Sequence, residues 1–355
     1  MMATFPDAGK IQNDFFSEII FPQCGRIRDE VKIGAQYGVD VSVVGLPGGM
    51  AMALSSDPLS LIPSLGLRES AWLSVHILAN DMVTTGYAPM YAQFVLNLPE
   101  SISVTAFNEY WNYIHQYCNE IGIAITGGHT GQVHGQNSTI AGGGTFITVA
   151  PEHLLLTSCN AKPGNAIIVT KECALTASSI LAMSFPETVK NKAGTETYYK
   201  GCELFYQTTS LADGLTAATL QENKRDITAM HDVTEGGVLG AVYEMATASN
   251  CGVVIQTQKL PKGNVQQNIC NVFGIDPLYV VGAGSMIIAA EDATKENVLR
   301  RLQQKNIQAT IVGYFTDEPE KKNLITSNGE ASLLMHPGTD AYWNAFYQAL
   351  HKGWK

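Results

Sequence analysis

The sequence predicts two α+β domains of similar size in tandem. Three observations carry this. The chain is 355 residues long, enough for two or three domains. Strand-like and helix-like runs alternate through both halves. Over 152–163 the pattern breaks, and a Lys-Pro-Gly turn at Lys162–Gly164 leads into a fresh apolar strand, Ala166–Thr170. The expected domains are therefore 1–155 and 156–355.

In chain order, the first 30 or so residues read as a partly helical arm with Phe15, Phe16, Ile19 and Ile20 on its apolar side. Strands are expected over 41–44 and 51–55, with "PGG" at 47–49 as the hairpin turn. A helix over 68–86 should stop at Gly86, with Pro89 beyond it. Residues 90–99 read as a strand, 104–122 as a strongly patterned helix ending at glycine, 123–128 as a strand running into a glycine loop, and 139–151 as a strand. In the second half the spacing predicts helices over 176–183, 201–222, 295–304 and 342–350. Strands are expected over 166–170, 252–256, 284–290 and 309–314, with a further one ending at Met230.

Apolar residues make up 45% of the chain and charged ones 15%, so a large core is available and disorder is excluded as a general state. A net charge of −10 argues against general nucleic-acid or anionic-membrane binding. Seven cysteines without a CxxC pair read as reduced thiols, not as a disulfide or zinc framework. The first residues hold no apolar run of signal-peptide length, and no apolar run of 18 residues occurs. A cytoplasmic protein is the expectation.

The stretch "HDVTEGG" sets His231, Asp232 and Glu235 before Gly236 and Gly237, at the mouth of an apolar helical run. Asp232 or Thr234 could cap that helix. A helix N-terminus also attracts anions, and glycines let a backbone approach a ligand. Four more polar points stand at strand ends or beside glycines: "YGVD" (37–40), "SSDP" (55–58), "AND" (79–81) and "TGGHTG" (126–131). Carboxylates are the ligands Mg²⁺ prefers, and Mg²⁺ is commonly shared with nucleotide phosphates. Asn80 and Asp81 are poor helix formers inside an apparent helix, with a solvated face as the plain alternative.

Taken together and in order, these five points resemble those of an ATP-binding superfamily. It groups aminoimidazole ribonucleotide synthetase (PurM), the amidotransferase PurL, selenophosphate synthetase, thiamine-monophosphate kinase and the hydrogenase maturation protein HypE. The resemblance spans roughly residues 30 to 315 and is nearest to a HypE-like branch of AIR synthase-related proteins. "NDMVTTGYAP" is similar to the family's N-D-x-x-x-x-G-x-x-P helix, "TGGHT" to its G-G-D-T or G-G-E-T loop, and "DVTEGG" to D-V/A-T-x-G-G.

The resemblance implies a two-domain PurM-like fold, α+β of the α/β sandwich type. Its N-terminal domain would form a barrel with a second subunit, making a homodimer. The implied cofactors are ATP and Mg²⁺, the implied partner a small-molecule substrate, and the implied chemistry phosphorylation or activation of an amide, carbonyl or phosphate acceptor. Asp40, Asp57, Asp81 and His129 would serve the metal. Asp57, Asn80, Gly127, Gly128, Thr130, Gly236 and Gly237 would serve the nucleotide. Asp232, Glu235 and His231 would face the substrate, His231 as acid or base. Val39 and His129 stand where many members carry carboxylates, which raises the alternative of a nucleotide-binding protein with reduced catalysis. A purine-pathway cyclo-ligase is a second alternative, although "GGHTGQVHG" departs from that enzyme's G-G-E-T loop. Hydrogenase maturation members end in a reactive cysteine; here the last cysteine is Cys270 and the sequence closes on "HKGWK".

Overall fold

The computed structural model describes residues 9–11, 13–220 and 225–355. Parts of the predicted N-terminal arm, the first eight residues and residue 12, lie outside the described residues, as do residues 221–222 of the predicted 201–222 helix. The described arm is a short helical stretch from Asn13 through Gln23.

Two sheets carry the chain. The first is six-stranded, in the order β1-β2-β3-β6-β4-β5, from β1 (Val31–Ile33), β2 (Ser42–Leu46), β3 (Met50–Ser60), β4 (Tyr91–Pro99), β5 (Ala124–Val133) and β6 (Ile140–Pro151). Only β4 and β5 run parallel; the other pairs are antiparallel. The sheet is open, with β1 and β5 as its edges. Helices α1 (Leu67–Val83) and α2 (Val104–Glu120) cover one face.

Local chemistry explains these elements. In β4 the alternate residues Ala92, Phe94, Leu96 and Leu98 are buried under the helices while Tyr91, Val95 and Asn97 face out. Ser103 caps α2 by accepting from the Ala106 N–H at 3.1 Å, and Tyr110, Ile114, Tyr117 and Cys118 form its buried stripe. Helix α1 is buried on nearly every side. Its serines are satisfied internally: Ser70 Oγ donates to Gly66 O, and Ser74 Oγ receives the Ser60 N–H.

The second sheet is seven-stranded, in the order β13-β12-β9-β11-β7-β10-β8. Its strands are β7 (Ala166–Thr170), β8 (Ile227–Asp232), β9 (Gly252–Gln256), β10 (Met286–Ala290), β11 (Ala309–Thr316), β12 (Lys322–Ile325) and β13 (Ala331–Leu333). The helices of this half are α3 (Leu175–Ser184), α4 (Pro186–Ala193), α5 (Thr195–Glu203), α6 (Leu211–Ala217), α7 (Gly237–Ala248), α8 (Asn264–Phe273), α9 (Lys295–Gln304) and α10 (Ala341–His351). Both faces of β7 and β10 are covered. Ile167, Val169 and Ile287 pack toward α7, whereas Ile168 and Ile288 pack toward Val298 and Leu302 of α9. Strands buried on both sides read as continuous apolar runs, which is how "AIIVT" and "MIIAA" are written.

Three expectations are corrected. "GGHTG" is strand, not loop: β5 continues through it to Val133. Glycine is needed there because Gly128, at φ +143°, lies so close to β4 that a Cβ would meet the Phe94 carbonyl at 1.8 Å. "SSDP" does not end a strand, since β3 runs on to Ser60. The predicted 201–222 helix is broken, with α5 passing through a 3₁₀ turn to the separate α6. Helix α8 and the short strands β12 and β13 were not predicted.

The two halves meet along α1. Leu65 and Leu73 join a core with Ala177 and Phe185, and Val83 joins one with Ile168 and Met230. Trp72 Nε1 donates to Thr208 Oγ1 at 3.0 Å across the same seam. The seam brings the end of β8 against the loop after β1 and the middle of β3.

Candidate functional site

Strand β8 carries no ionisable side chain until its last two residues, and pairing with β10 sets Ile287 opposite His231 and Met286 opposite Asp232. The chain then turns sharply into α7. Gly236 and Gly237 both have positive φ, +85° and +65°, and a Cβ on Gly237 would meet Leu278 O at 2.6 Å. The glycine pair is thus required by the turn itself. Neither Asp232 nor Thr234 caps α7. Instead the Gly236 N–H donates to Asp340 Oδ2 at 2.8 Å, while Asp340 Oδ1 caps α10 through the Tyr342 N–H at 2.8 Å. Burial pushes the Asp340 carboxyl up to about 6 against these two hydrogen bonds. Glu235 is also engaged: Trp343 Nε1 donates to Oε1 at 2.9 Å and the Lys10 N–H to Oε2 at 2.8 Å.

In front of this turn lie the acidic residues of the first half. Asp40, in the loop between β1 and β2, holds its Oδ2 on the Ser158 hydroxyl at 2.8 Å. Its Oδ1 lies 3.0 Å from His231 Nδ1. Asp232 Oδ1 is 3.8 Å from the same nitrogen, and on the far side of the ring Glu244 Oε2 of α7 is 3.4 Å from Nε2. Glu244 also faces Lys10 Nζ at 3.4 Å and His336 Nε2 at 3.3 Å. Burial alone would lift the Glu244 carboxyl, but Lys10, His231 and His336 hold it well below the usual range. Burial likewise opposes charge on His231, yet Asp40, Asp232 and Glu244 raise it well above the ordinary histidine value.

Asp57 of β3 and Asp81 of α1 lie side by side. Burial, then Asp232 and Asp40, push the Asp57 carboxyl up to about 7 despite Lys10. Burial and the carboxylates of Asp57, Asp232 and Asp40 raise Asp81 well above the usual carboxylate range. Asp81 is buried, so the solvated-face alternative for it is excluded. Four aspartates converge here with more negative charge than Lys10 offsets, the imbalance a divalent cation relieves.

A carboxyl whose folded value is raised stabilises the fold below its unfolded value, here 3.8. That contribution is lost as pH climbs through about 7. Protons compete with metal for the same oxygens, so affinity for Mg²⁺ should rise with pH up to about 7 and level off above it. Calorimetric titrations from pH 5.5 to 8.5 would show the rise; a flat profile would remove Asp57 and Asp81 from the binding group.

The structure therefore gathers Asp40, Asp57, Asp81, His231 and Asp232, with Glu235, Gly236 and Gly237 at the rim. Asn80 is apart from them. It is fully buried, its amide donating to Thr208 O at 3.0 Å and accepting from the Ser210 N–H at 2.7 Å, so both ends are used to dock α1 on the second half. Gly127, Gly128, His129 and Thr130 lie on the edge strand β5. Register runs Asp57–Gly144–Phe94–Gly128 across the sheet. Three strand spacings, about 14 Å, separate Asp57 from the Gly128 position. His129 does not join Asp40, Asp57 and Asp81 around one ion within a single chain. A cleft of about 470 Å³ lies on the outward face of the sheet, between Ser56, Pro58, Gln93 and Val95 and over Gly142, Gly143 and Gly144; the Asp57 side chain is on the other face, in register with the buried Phe94. A cleft of about 510 Å³ at the opposite end of β8, near Lys162 and Arg225, contains none of the clustered aspartates.

Lys10, Ser158, Glu244, His336 and Asp340 were not anticipated. Glu244 carried a signal, a lone carboxylate in the apolar run 237–248. Asp340 carried one too, as an N-cap residue before "AYWNAF".

Two mixed α/β domains meeting at an acidic seam define a PurM-like protein, and the comparisons agree. Residues 38–149 match the N-terminal domain and residues 162–324 the C-terminal domain of AIR synthase related proteins. The chain belongs to that family. It is similar to carbamoyl dehydratase HypE of Rhizobium leguminosarum bv. viciae, 24% identical over 311 residues, covering 84% of this chain and 83% of that protein. It is also similar to selenide, water dikinase of Methanocaldococcus jannaschii, 27% identical over 244 residues, covering 66% of this chain and 68% of that protein. Among solved structures, Escherichia coli HypE superposes with a TM-score of 0.68 at 22% identity, over 81% of this chain and 86% of that one. A hydrogenase maturation protein HypE in complex with ATP superposes at 0.64 with 19% identity, over 93% of this chain and 96% of that one. Among the described residues no helix is long and apolar enough to cross a membrane.

Proposed function

We propose that this chain is an ATP- and Mg²⁺-dependent enzyme that phosphorylates or otherwise activates an amide, carbonyl or phosphate oxygen of a small metabolite. The observation that carries the reading is the facing pair Asp57 and Asp81, raised together by burial and by two further carboxylates. Hard oxygen donors that repel one another suit Mg²⁺, and that cation bound to a nucleotide neutralises charge on the transferring phosphoryl group. His129 and Thr130 would meet the nucleotide from the edge strand. Relatives named carbamoyl dehydratase and selenide, water dikinase, and a neighbour solved with ATP, support a nucleotide-using enzyme. Buried between Asp40 and Glu244, His231 has no face open to a substrate, so acid–base work does not fall to it. Phosphate release from ATP, with and without Mg²⁺ and with candidate amide, carbonyl and phosphate acceptors, tests the reading. Tight ATP binding with no turnover for any acceptor would favour the binding-protein alternative.

The open face of the first sheet supports a homodimer. Across the strands Val44, Met52 and Val149 form one apolar row, and Leu54, Ile147 and Tyr91 form the next. An uncovered apolar sheet face calls for a partner, and a second copy closing a barrel would supply it. Light scattering at micromolar concentration should give twice the chain mass, and Leu54→Lys should halve it. A wild-type monomer would contradict the proposal.

A further inference from the structure

The cleft of about 510 Å³ at the start of β8 holds a buried cation without a counter-charge. Arg225 is 9% exposed, and its Nε–H is buried with no hydrogen-bond partner. No ion pair among the described residues includes it. The guanidinium is nevertheless held in place. Nη1 donates to Ala218 O at the end of α6, and the group lies 5.2 Å from the centre of the Tyr87 ring. Gly86, at φ +81°, leaves room for it, since a Cβ there would stand 2.8 Å from Nη1. One carbonyl and one ring face offset part of the charge, yet burial still lowers the guanidinium's hold on its proton. A buried charge left in that condition is costly, and an anion relieves it.

The rest of the wall says which anion. Lys162, in the turn that joins the two halves, adds a second cation without a carboxylate partner among the described residues. Leu154, Leu156 and Ile227 supply an apolar side. Glu291 is the wall's carboxylate, and it is already engaged. Two cations less one carboxylate leave a net charge of +1 while His153 is neutral. That balance suits a single negative charge better than a phosphate, which carries about −1.5 to −2 at pH 7. A guanidinium fork matches a carboxylate, and a cleft of this volume takes a small molecule.

We propose that this cleft binds a small organic monocarboxylate, its head group between Arg225 and Lys162 and its apolar body along Leu154, Leu156 and Ile227. The site is separate from the acidic seam. Strand β8 runs from Ile227 at the cleft to Asp232 at the seam, about 17 Å at 3.3 Å per residue. A ligand here touches none of the clustered aspartates, so it is not the reactant of that seam. It does touch the linker between the halves, which is tied to the first half where the Leu156 N–H donates to Thr85 O at 3.0 Å. The rival arrangement is a solvated cleft in which Ala218 O and the Tyr87 ring are all that Arg225 needs.

The test uses the full chain, free of ATP and Mg²⁺, titrated with sodium hexanoate and followed by ligand-observed NMR. Saturable binding with a Kd of about 1 mM or tighter is expected for a ligand of that size. Hexanamide, the neutral analogue, should bind about 10-fold more weakly or worse, and equimolar inorganic phosphate should not displace hexanoate. Arg225→Gln should weaken hexanoate binding by about 10-fold or more. Lys162→Glu, a change at an exposed residue that turns the net charge of the wall from +1 to −1, should do the same. Circular dichroism on each variant separates lost binding from lost folding, and Lys162→Glu decides if Arg225→Gln does not fold. Absence of saturable binding, hexanamide binding as well as hexanoate, displacement by equimolar phosphate, or affinity unchanged in Lys162→Glu would overturn the proposal. Because ATP and Mg²⁺ are absent, the outcome is independent of the nucleotide reading.

Discussion

Asp81→Asn is expected to raise the melting temperature of the nucleotide-free protein and to abolish its Mg²⁺-dependent affinity for ATP. Asp81 is buried against Asp57, and burial with the facing carboxylates raises both groups. At pH 8 the wild type therefore holds negative charge that the fold resists. Asparagine removes one charge and sets a neutral amide against Asp57. The stability gained should be about 1–2 kcal/mol after allowance for solvent and Lys10 screening. It should shrink as pH falls toward 5, because the wild-type carboxyls are then protonated. The same substitution deletes a hard oxygen donor, so Mg²⁺-ATP binding should fall by two orders of magnitude or more. A site tuned for a cation is destabilised without one, the common trade of stability for function. Thermal melts at pH 5 and pH 8, beside calorimetry with Mg²⁺-ATP, read both effects. A variant less stable than wild type at pH 8 would contradict the account of the cluster.

Asn80→Ala, one residue away, is expected to do the reverse. Its amide joins Thr208 O and the Ser210 N–H, both buried. Alanine leaves a backbone donor and acceptor unpaired at the seam between the halves, at a cost of about 2–4 kcal/mol. Urea denaturation should show that loss. In the folded fraction, affinity for Mg²⁺-ATP should stay within a few-fold of wild type. A large loss of affinity with unchanged stability would mean that Asn80 serves the nucleotide after all.

This contrast shows how far the sequence could be read. "ND" was legible as an anomaly inside a helix, and Asp81 does reach the acidic cluster. Consecutive helix residues point about 100° apart, however, so Asn80 faces the other half and not the site. Asp40, His231 and Asp232 were legible because each stands beside a turn or glycine that breaks an apolar run, and Asp57 because a charge before proline interrupts one, although β3 runs on past both. The strongly periodic elements were legible for the same reason: β4 alternates, α2 carries a single stripe, and β7 and β10 are apolar throughout. "GGHTG" was misread because glycine signals a loop, whereas here it permits close approach of an edge strand to β4. Lys10, His336 and Asp340 could not be read into the site. They reach it only after folding, from 225 residues before Glu235 and 104 residues after Gly236. A capping aspartate announces its own helix, not the distant glycine that it also holds.

The central claim is that the seam binds Mg²⁺-nucleotide through Asp57 and Asp81. Isothermal titration of the wild type and of Asp57→Asn with ATP at pH 8, each with excess Mg²⁺ and again with chelator, tests it most directly. The account predicts saturable binding only for the wild type with Mg²⁺. Equal affinity in chelator, or an Asp57→Asn variant that binds as the wild type does, would contradict it.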